Sequence, residues 1–175
     1  MRRIHVLGAP MLRDRAAEVD LEKLDQYTEL LEEMEEILRA TRGVGLAAPQ
    51  LGESVRIFMF RNPESKELYT LINPVVDELY GEQVRLHEGC LSVPTFYATI
   101  PRFESVKATA YNDRGEQFTG VFSGIEAQAF QHEMDHLEGT LFFDHASPYA
   151  RNRILTRWRK NFKSGATYLP RSLVD

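Results

Sequence analysis

The chain has 175 residues, 43% apolar and 27% charged, with a formal net charge of −5. That balance suits one ordinary soluble globular domain able to bury a sizeable core. Its single cysteine excludes an internal disulfide and fits a reducing compartment, and no apolar run approaches the roughly 20 residues of a membrane span.

Met1-Arg2-Arg3-Ile4-His5 lacks the apolar core of a signal peptide and the amphipathic pattern of a transit peptide. The expected location is the cytoplasm, with neither DNA nor a membrane as partner and the chain a monomer. Leu24, Tyr27, Leu31, Met34 and Leu38 then recur at helical spacing, with Gly43 as the stop. Glu29, Glu32, Glu33, Glu35 and Glu36 give that helix an acidic face, read as solvated. In Gly43-Val44-Gly45-Leu46-Ala47-Ala48-Pro49-Gln50 the small residues let backbone come close to a substrate. A phosphate-cradling loop is the rival, but the Lys-Ser/Thr ending is missing and Pro49 and Gly52 interrupt any following helix. Gln50 offers an amide N–H to a developing oxyanion.

Short strands are expected at 55–60, 68–72 and 83–87, and Asn112-Asp113-Arg114-Gly115 reads as a hairpin turn between strands 105–111 and 116–122. Ser123, with Glu126 three residues on, signals a capping box for a helix that Gly139 would end. Ile125, Ala129, Phe130, Met134 and Leu137 make much of that helix apolar, so it should be largely buried. Residues 149–175 carry seven Lys or Arg against one Asp, whereas the first 148 carry fourteen against twenty-five acids. Ile154, Leu155, Trp158 and Phe162 predict an amphipathic helix there, with Arg151, Arg153, Arg157, Arg159 and Lys160 on its other face.

The chemistry concentrates in His132-Glu133-Met134-Asp135-His136. Residues four apart share a helix face, so His132 and His136 can hold one metal ion, and Glu133 stands where a carboxylate takes a proton from an activated water. No Glu follows Glu138, and Phe142 occupies the position of a third His in one protease pattern. The third ligand is therefore expected upstream, at Cys90, the only thiol; Asp144 and His145 are the alternatives and need a sharp reversal after the helix. A lone cysteine is ordinarily a small buried hydrophobe, but beside a divalent cation it is a thiolate.

GVGLAAPQ, EGCLS and QHEMDH, in this order and at these separations, resemble the three signature motifs of peptide deformylase, and the similarity runs from Leu12-Arg13 to about Ser147. The resemblance implies removal of the formyl group from formylmethionyl peptides and nascent chains. It implies one divalent ion on Cys90, His132 and His136, ferrous iron in the cell and zinc, nickel or cobalt in preparations. Glu133 would pass the attacking water's proton to the leaving amine. Gln50 and the Leu91 N–H would stabilise the oxyanion, and the Gly45 backbone would pair with the substrate. Val44, Leu86, Ile125 and Ala129 would surround the methionine side chain, with His132 as one wall.

Glu126, Gln128 and Tyr97 depart from residues common in the family, which bears on substrate preference. Glu88 and Arg102 are expected to pair behind Cys90. The implied fold is α+β, antiparallel strands packed around a central HExxH helix, with an N-terminal and a C-terminal helix. Residues 1–148 would form the catalytic domain, and 149–175 a basic helix packed on it or extending from it toward the ribosome. Deleting that tail is expected to weaken ribosome binding and to spare activity on a short peptide. The rival readings are an HExxH peptidase and a non-catalytic metal- or ribosome-binding module.

Overall fold

Alternation decides the middle of the chain. Between Val93 and Tyr111 the even-numbered Ala98, Ile100, Arg102, Val106, Ala108 and Ala110 are buried while most of their neighbours are not, the signature of a strand with one face on a core. The computed structural model describes residues 1–41, 43–162 and 165–173. In chain order its elements are β1 (Ile4–His5), α1 (Thr28–Ala40), β2 (Gly45–Ala47), β3 (Ile57–Arg61) and β4 (Leu68–Cys90). There follow β5 (Val93–Tyr111), β6 (Gln117–Ser123), α2 (Ile125–Leu137), α3 (Pro148–Asn161) and β7 (Thr167–Tyr168). The fold is α+β. An antiparallel sheet runs β2-β3-β4-β5-β6, and β1 pairs with β7 in a separate ribbon.

The stretches expected as separate strands at 68–72 and 83–87 are one strand, β4, with register shifts at Ile72/Val75, Val76/Glu78 and Tyr80/Gln83. Residues 77–82 expose nearly every side chain. Ladder bonds to β5 hold them extended where no hydrophobic pattern marks a strand. The hairpin between β5 and β6 forms as expected, with Tyr111 opposite Gln117 and Gly115 at φ 75°. The Asn112 carboxamide oxygen accepts the N–H groups of Arg114 and Glu116 at 3.0 and 2.9 Å, which is why an Asn opens this turn.

Helix α1 buries Leu30, Met34, Ile37 and Leu38. Leu24 and Tyr27 belong instead to a 3₁₀ segment before it, capped by Asp20. Glu33 leaves the solvated face: its carboxylate pairs with the N-terminal amine at 3.0 Å and with Arg2 at 2.7 Å. Ser123 does not cap α2. It ends β6 with its hydroxyl 3.0 Å from that of Ser105, and Gly124, at φ 59°, turns the chain into the helix. Glu126 accepts from the Asn62 amide at 2.9 Å.

Helix α2 packs on β2, β3, β5 and β6. Phe130 meets Phe58 edge-on, ring centres 5.3 Å apart, and stacks on Phe122 at 5.6 Å, so the backbone carrying both histidines is anchored in an aromatic core. Helix α3 starts at Pro148 behind a Ser147 cap. It buries Ile154 and Trp158 against Val93, Ile100, Phe142 and Phe143.

Candidate metal centre

Two unconnected parts of the fold meet here. Helical spacing stacks His132 and His136 on one face of α2, rings 5.2 Å apart. Cys90 arrives at the end of β4, where the register slips between Gly89 and Cys90. One ligating atom from each of the three lies within 4.8 Å of the other two. Thiolate and two imidazoles are a donor set for a divalent transition metal, and three protein ligands leave a position open.

Glu133 directly follows His132 on α2 and is 3% exposed. Its Oε2 and the Nδ1 of His136 are buried without a hydrogen-bond partner, a cost that a buried polar atom bears where chemistry or a ligand is to be met. Gly45 makes room for it: a Cβ there would stand 2.7 Å from the Glu133 Cδ. Burial, opposed by the His132 charge, pushes the Glu133 carboxyl up to about 7. A carboxylate so placed exchanges protons near neutral pH.

The surrounding hydrogen bonds aim each group. The Gln50 carboxamide oxygen accepts the Ala47 N–H at 2.8 Å, which turns its NH₂ toward Ser92 Oγ at 3.1 Å and Cys90 Sγ at 3.5 Å. Glu88 and Arg102 form the expected pair, at 2.8 and 3.0 Å. Glu88 also contacts His132 Nδ1 at 2.9 Å, which leaves Nε2 of that ring for a ligand. Burial raises the Glu88 pKa, but His132 and Arg102 outweigh it and hold it down at about 2. Arg102 also reaches Asp135 at 2.8 Å. Asp144 and His145, the alternative ligands, are engaged elsewhere: Asp144 with Arg13 and the Leu141 N–H, His145 with Asp135 at 2.9 Å.

The sequence profile of the polypeptide deformylase family matches residues 1–152. The chain belongs to the peptide deformylase family. A peptide deformylase of Dehalococcoides mccartyi is 38% identical over 146 residues, 83% of this chain and 86% of that one. The crystal structure of the Thermus thermophilus peptide deformylase superposes with a TM-score of 0.84 at 35% identity, covering 91% of this chain and 94% of that one. A peptide deformylase of Arabidopsis thaliana, solved with an inhibitor, gives 0.80 at 34%, covering 91% of each.

Beside the trio this deformylase-family chain has a cavity of about 420 Å³, lined among others by Val44, Gly45, Gln50, Leu91, Ile125, Ala129, His132 and Glu133. Leu86 is not in that lining: two residues before Glu88 on β4, it stands roughly 7 Å farther along the strand, opposite Ile100. Ile125, at the start of α2, is 42% exposed and forms a rim.

Tyr97 and Gln128, noted in the sequence as bearing on substrate preference, line the cavity, and sequence reasoning missed His87 and Tyr168. His87 and Tyr97 stack at 5.4 Å on the rim, over Gly89, where a Cβ would be 2.5 Å from the Tyr97 ring. The glycine facing an aromatic across the strands was the available signal. Gln128 donates to Glu88 Oε1 at 3.4 Å. Tyr168, from the far end of the chain, also lines the cavity; no local pattern marks it.

Proposed function

We propose that the chain hydrolyses the N-terminal formamide of formylmethionyl peptides and nascent chains, releasing formate and a free amine. The observation that carries this reading is the buried, unpaired Glu133 carboxylate lying against Gly45 and beside the Cys90–His132–His136 trio, at the wall of an open cavity. When bound, a divalent ion supplies Lewis acidity and a water acidified toward neutrality; ferrous iron is our assignment in the cell, with zinc, nickel or cobalt as substitutes.

Glu133 takes a proton from the attacking water and delivers it to the leaving nitrogen. The Gln50 amide and the Leu91 N–H donate to the oxygen that becomes negative. The Gly45 backbone pairs with the substrate chain. Val44, Ile125, Ala129 and the His132 ring enclose the methionine side chain, which gains by burial. In this reading the metal-bearing helix is the central element of the strands around it, residues 1–148 are the catalytic domain, and the enzyme works as a cytoplasmic monomer. Among the described residues no helix is long and apolar enough to cross a membrane.

The test is formate release from formyl-Met-Ala-Ser, with the acetylated peptide as control and metal counted in the same sample. Glu133→Gln should keep its metal and lose about 10²–10⁴ of the rate. A fully metallated wild type that releases no formate, yet cleaves an unformylated peptide, would favour the peptidase instead.

A second role is proposed for α3. Arg153, Arg157, Arg159 and Lys160 are exposed, and among the described residues only Arg151 of the basic face pairs with a carboxylate, Asp144 at 3.4 Å. Such a face suits ribosomal RNA. Reversing Arg153 and Arg157 to Glu should cut co-sedimentation with ribosomes at low salt; unchanged co-sedimentation would remove this role.

A further inference from the structure

The peptide unit joining Leu91 to Ser92 is held at both ends. Its carbonyl oxygen accepts the Tyr168 hydroxyl at 2.8 Å, and its N–H, that of Ser92, donates to Cys90 Sγ at 3.4 Å. Ser92 is wholly buried, its own carbonyl accepts the Leu7 N–H at 2.8 Å, and its hydroxyl takes the Gln50 amide. The unit is therefore rigid, and the hydroxyl, the amide and the thiol form one chain of hydrogen bonds.

Tyr168 reaches this position by an indirect route. It lies beyond the residues that match the family profile, 1–152. After α3 the chain returns as β7, where Tyr168 pairs with Ile4 of β1. The ring packs against two core clusters, one that includes Ile4 and another on which Cys90 and Phe96 also pack. Phe96 in turn contacts Trp158 of α3, ring centres 5.9 Å apart.

We propose that Tyr168 is a positioning residue of the metal centre, acting on the Cys90 thiolate through the Leu91–Ser92 amide. The inference rests on the metal-centre reading above. A donor on a carbonyl oxygen polarises the amide and strengthens its N–H as a donor. A stronger N–H bond to sulfur draws charge from the thiolate and fixes the direction it presents to a metal, the kind of supporting contact that tunes metal sites. Tyr168 thereby makes the C-terminal segment part of the catalytic apparatus. This runs against the expectation that deleting residues 149–175 spares activity on a short peptide.

The experiment uses the full chain loaded with cobalt(II), whose sulfur-to-metal charge-transfer band reports on the thiolate. Tyr168→Phe keeps the ring and removes only the hydroxyl. The band should move to longer wavelength, because a less restrained thiolate is easier to oxidise, and a chelator should strip the metal on the order of tenfold faster. Thr167→Ala, on the same short strand and bonded to Arg3 rather than to the site, should match wild type.

Ring-fluorinated tyrosine at position 168 is a stronger donor of the same shape and should move the band the other way; this arm stands even if the Phe variant does not fold. A folded Tyr168→Phe protein with wild-type band and wild-type metal loss overturns the proposal, as does a fluorotyrosine band that stays put or moves to longer wavelength. Wild type that binds no cobalt overturns both this inference and the metal-centre reading. Wild type with a normal band beside an unchanged variant overturns this inference alone.

Discussion

Glu133 and Gly45 define each other's position. The carboxylate is buried, and the space it fills is the space a side chain at residue 45 would need, 2.7 Å from Cδ and 2.8 Å from Cγ. Gly45→Ala should therefore displace the carboxylate rather than disturb the ligands. A misplacement near 1 Å costs about 10²-fold in rate, and the overpacking costs about 1–3 kcal/mol. The expected result is a folded, fully metallated variant with formate release down by about two orders of magnitude. Activity near wild type would mean that Glu133 has room to retreat and still work. The Glu88 carboxylate illustrates the opposite condition. Buried like Glu133, it has Arg102 and His132 to satisfy it, so it stays ionised and serves to orient a ring rather than to move a proton.

At the scale of elements, the turn after α2 is a junction. The short 3₁₀ segment Phe142–His145 places Asp144 where it accepts from Arg13, from the Leu141 N–H at 2.9 Å and from Arg151 at 3.4 Å. It thus joins the N-terminal segment, the loop after α2 and the first turn of α3. Burial raises its pKa, but Arg13, the Leu141 N–H and Arg151 prevail and lower it below the usual aspartate range.

A carboxylate depressed on folding contributes stability above its unfolded pKa, about 4. That contribution is lost as pH falls through the lower folded value. Asp144→Asn should cost about 1 kcal/mol at pH 7, and the difference from wild type should be smaller at about pH 3, below the unfolded pKa, where the charge contribution is already falling. Urea unfolding at the two pH values checks it; an equal penalty at both would show that shape, not charge, accounts for the loss.

For the whole molecule, a metal held by Cys90, His132 and His136 would be a cross-link. Cys90 ends a strand of the sheet, and the histidines sit on a helix packed over that sheet. An ion bound only by the folded state stabilises it by about 2.7 kcal/mol at a hundredfold excess over Kd. For a chain of this size that corresponds to about 5–10 °C in Tm. Calorimetry before and after chelation should show that drop and its recovery on re-addition of the ion. An unchanged Tm after verified metal removal would mean that the three ligands are held in place by the protein alone.

The local parts of this protein were legible in its residues. The i, i+4 histidines with an adjacent Glu, the Asn-to-Gly hairpin turn and the apolar faces of α1 and α2 are short-range patterns, because helix and strand periodicity writes itself into consecutive positions. The ordered motifs likewise pointed to the family. What the sequence does not carry is any record of which distant segments meet. The stretch 77–82 is a strand through its ladder partner alone, and Ser123, an apparent cap, belongs to a ladder instead. Leu86 falls outside the cavity because a strand carries it past the end. Gly45 is needed by a helix residue 88 positions later, and Tyr168 reaches a carbonyl 77 positions earlier. Such contacts have no period. They follow from β pairing and core packing, which the tertiary structure decides.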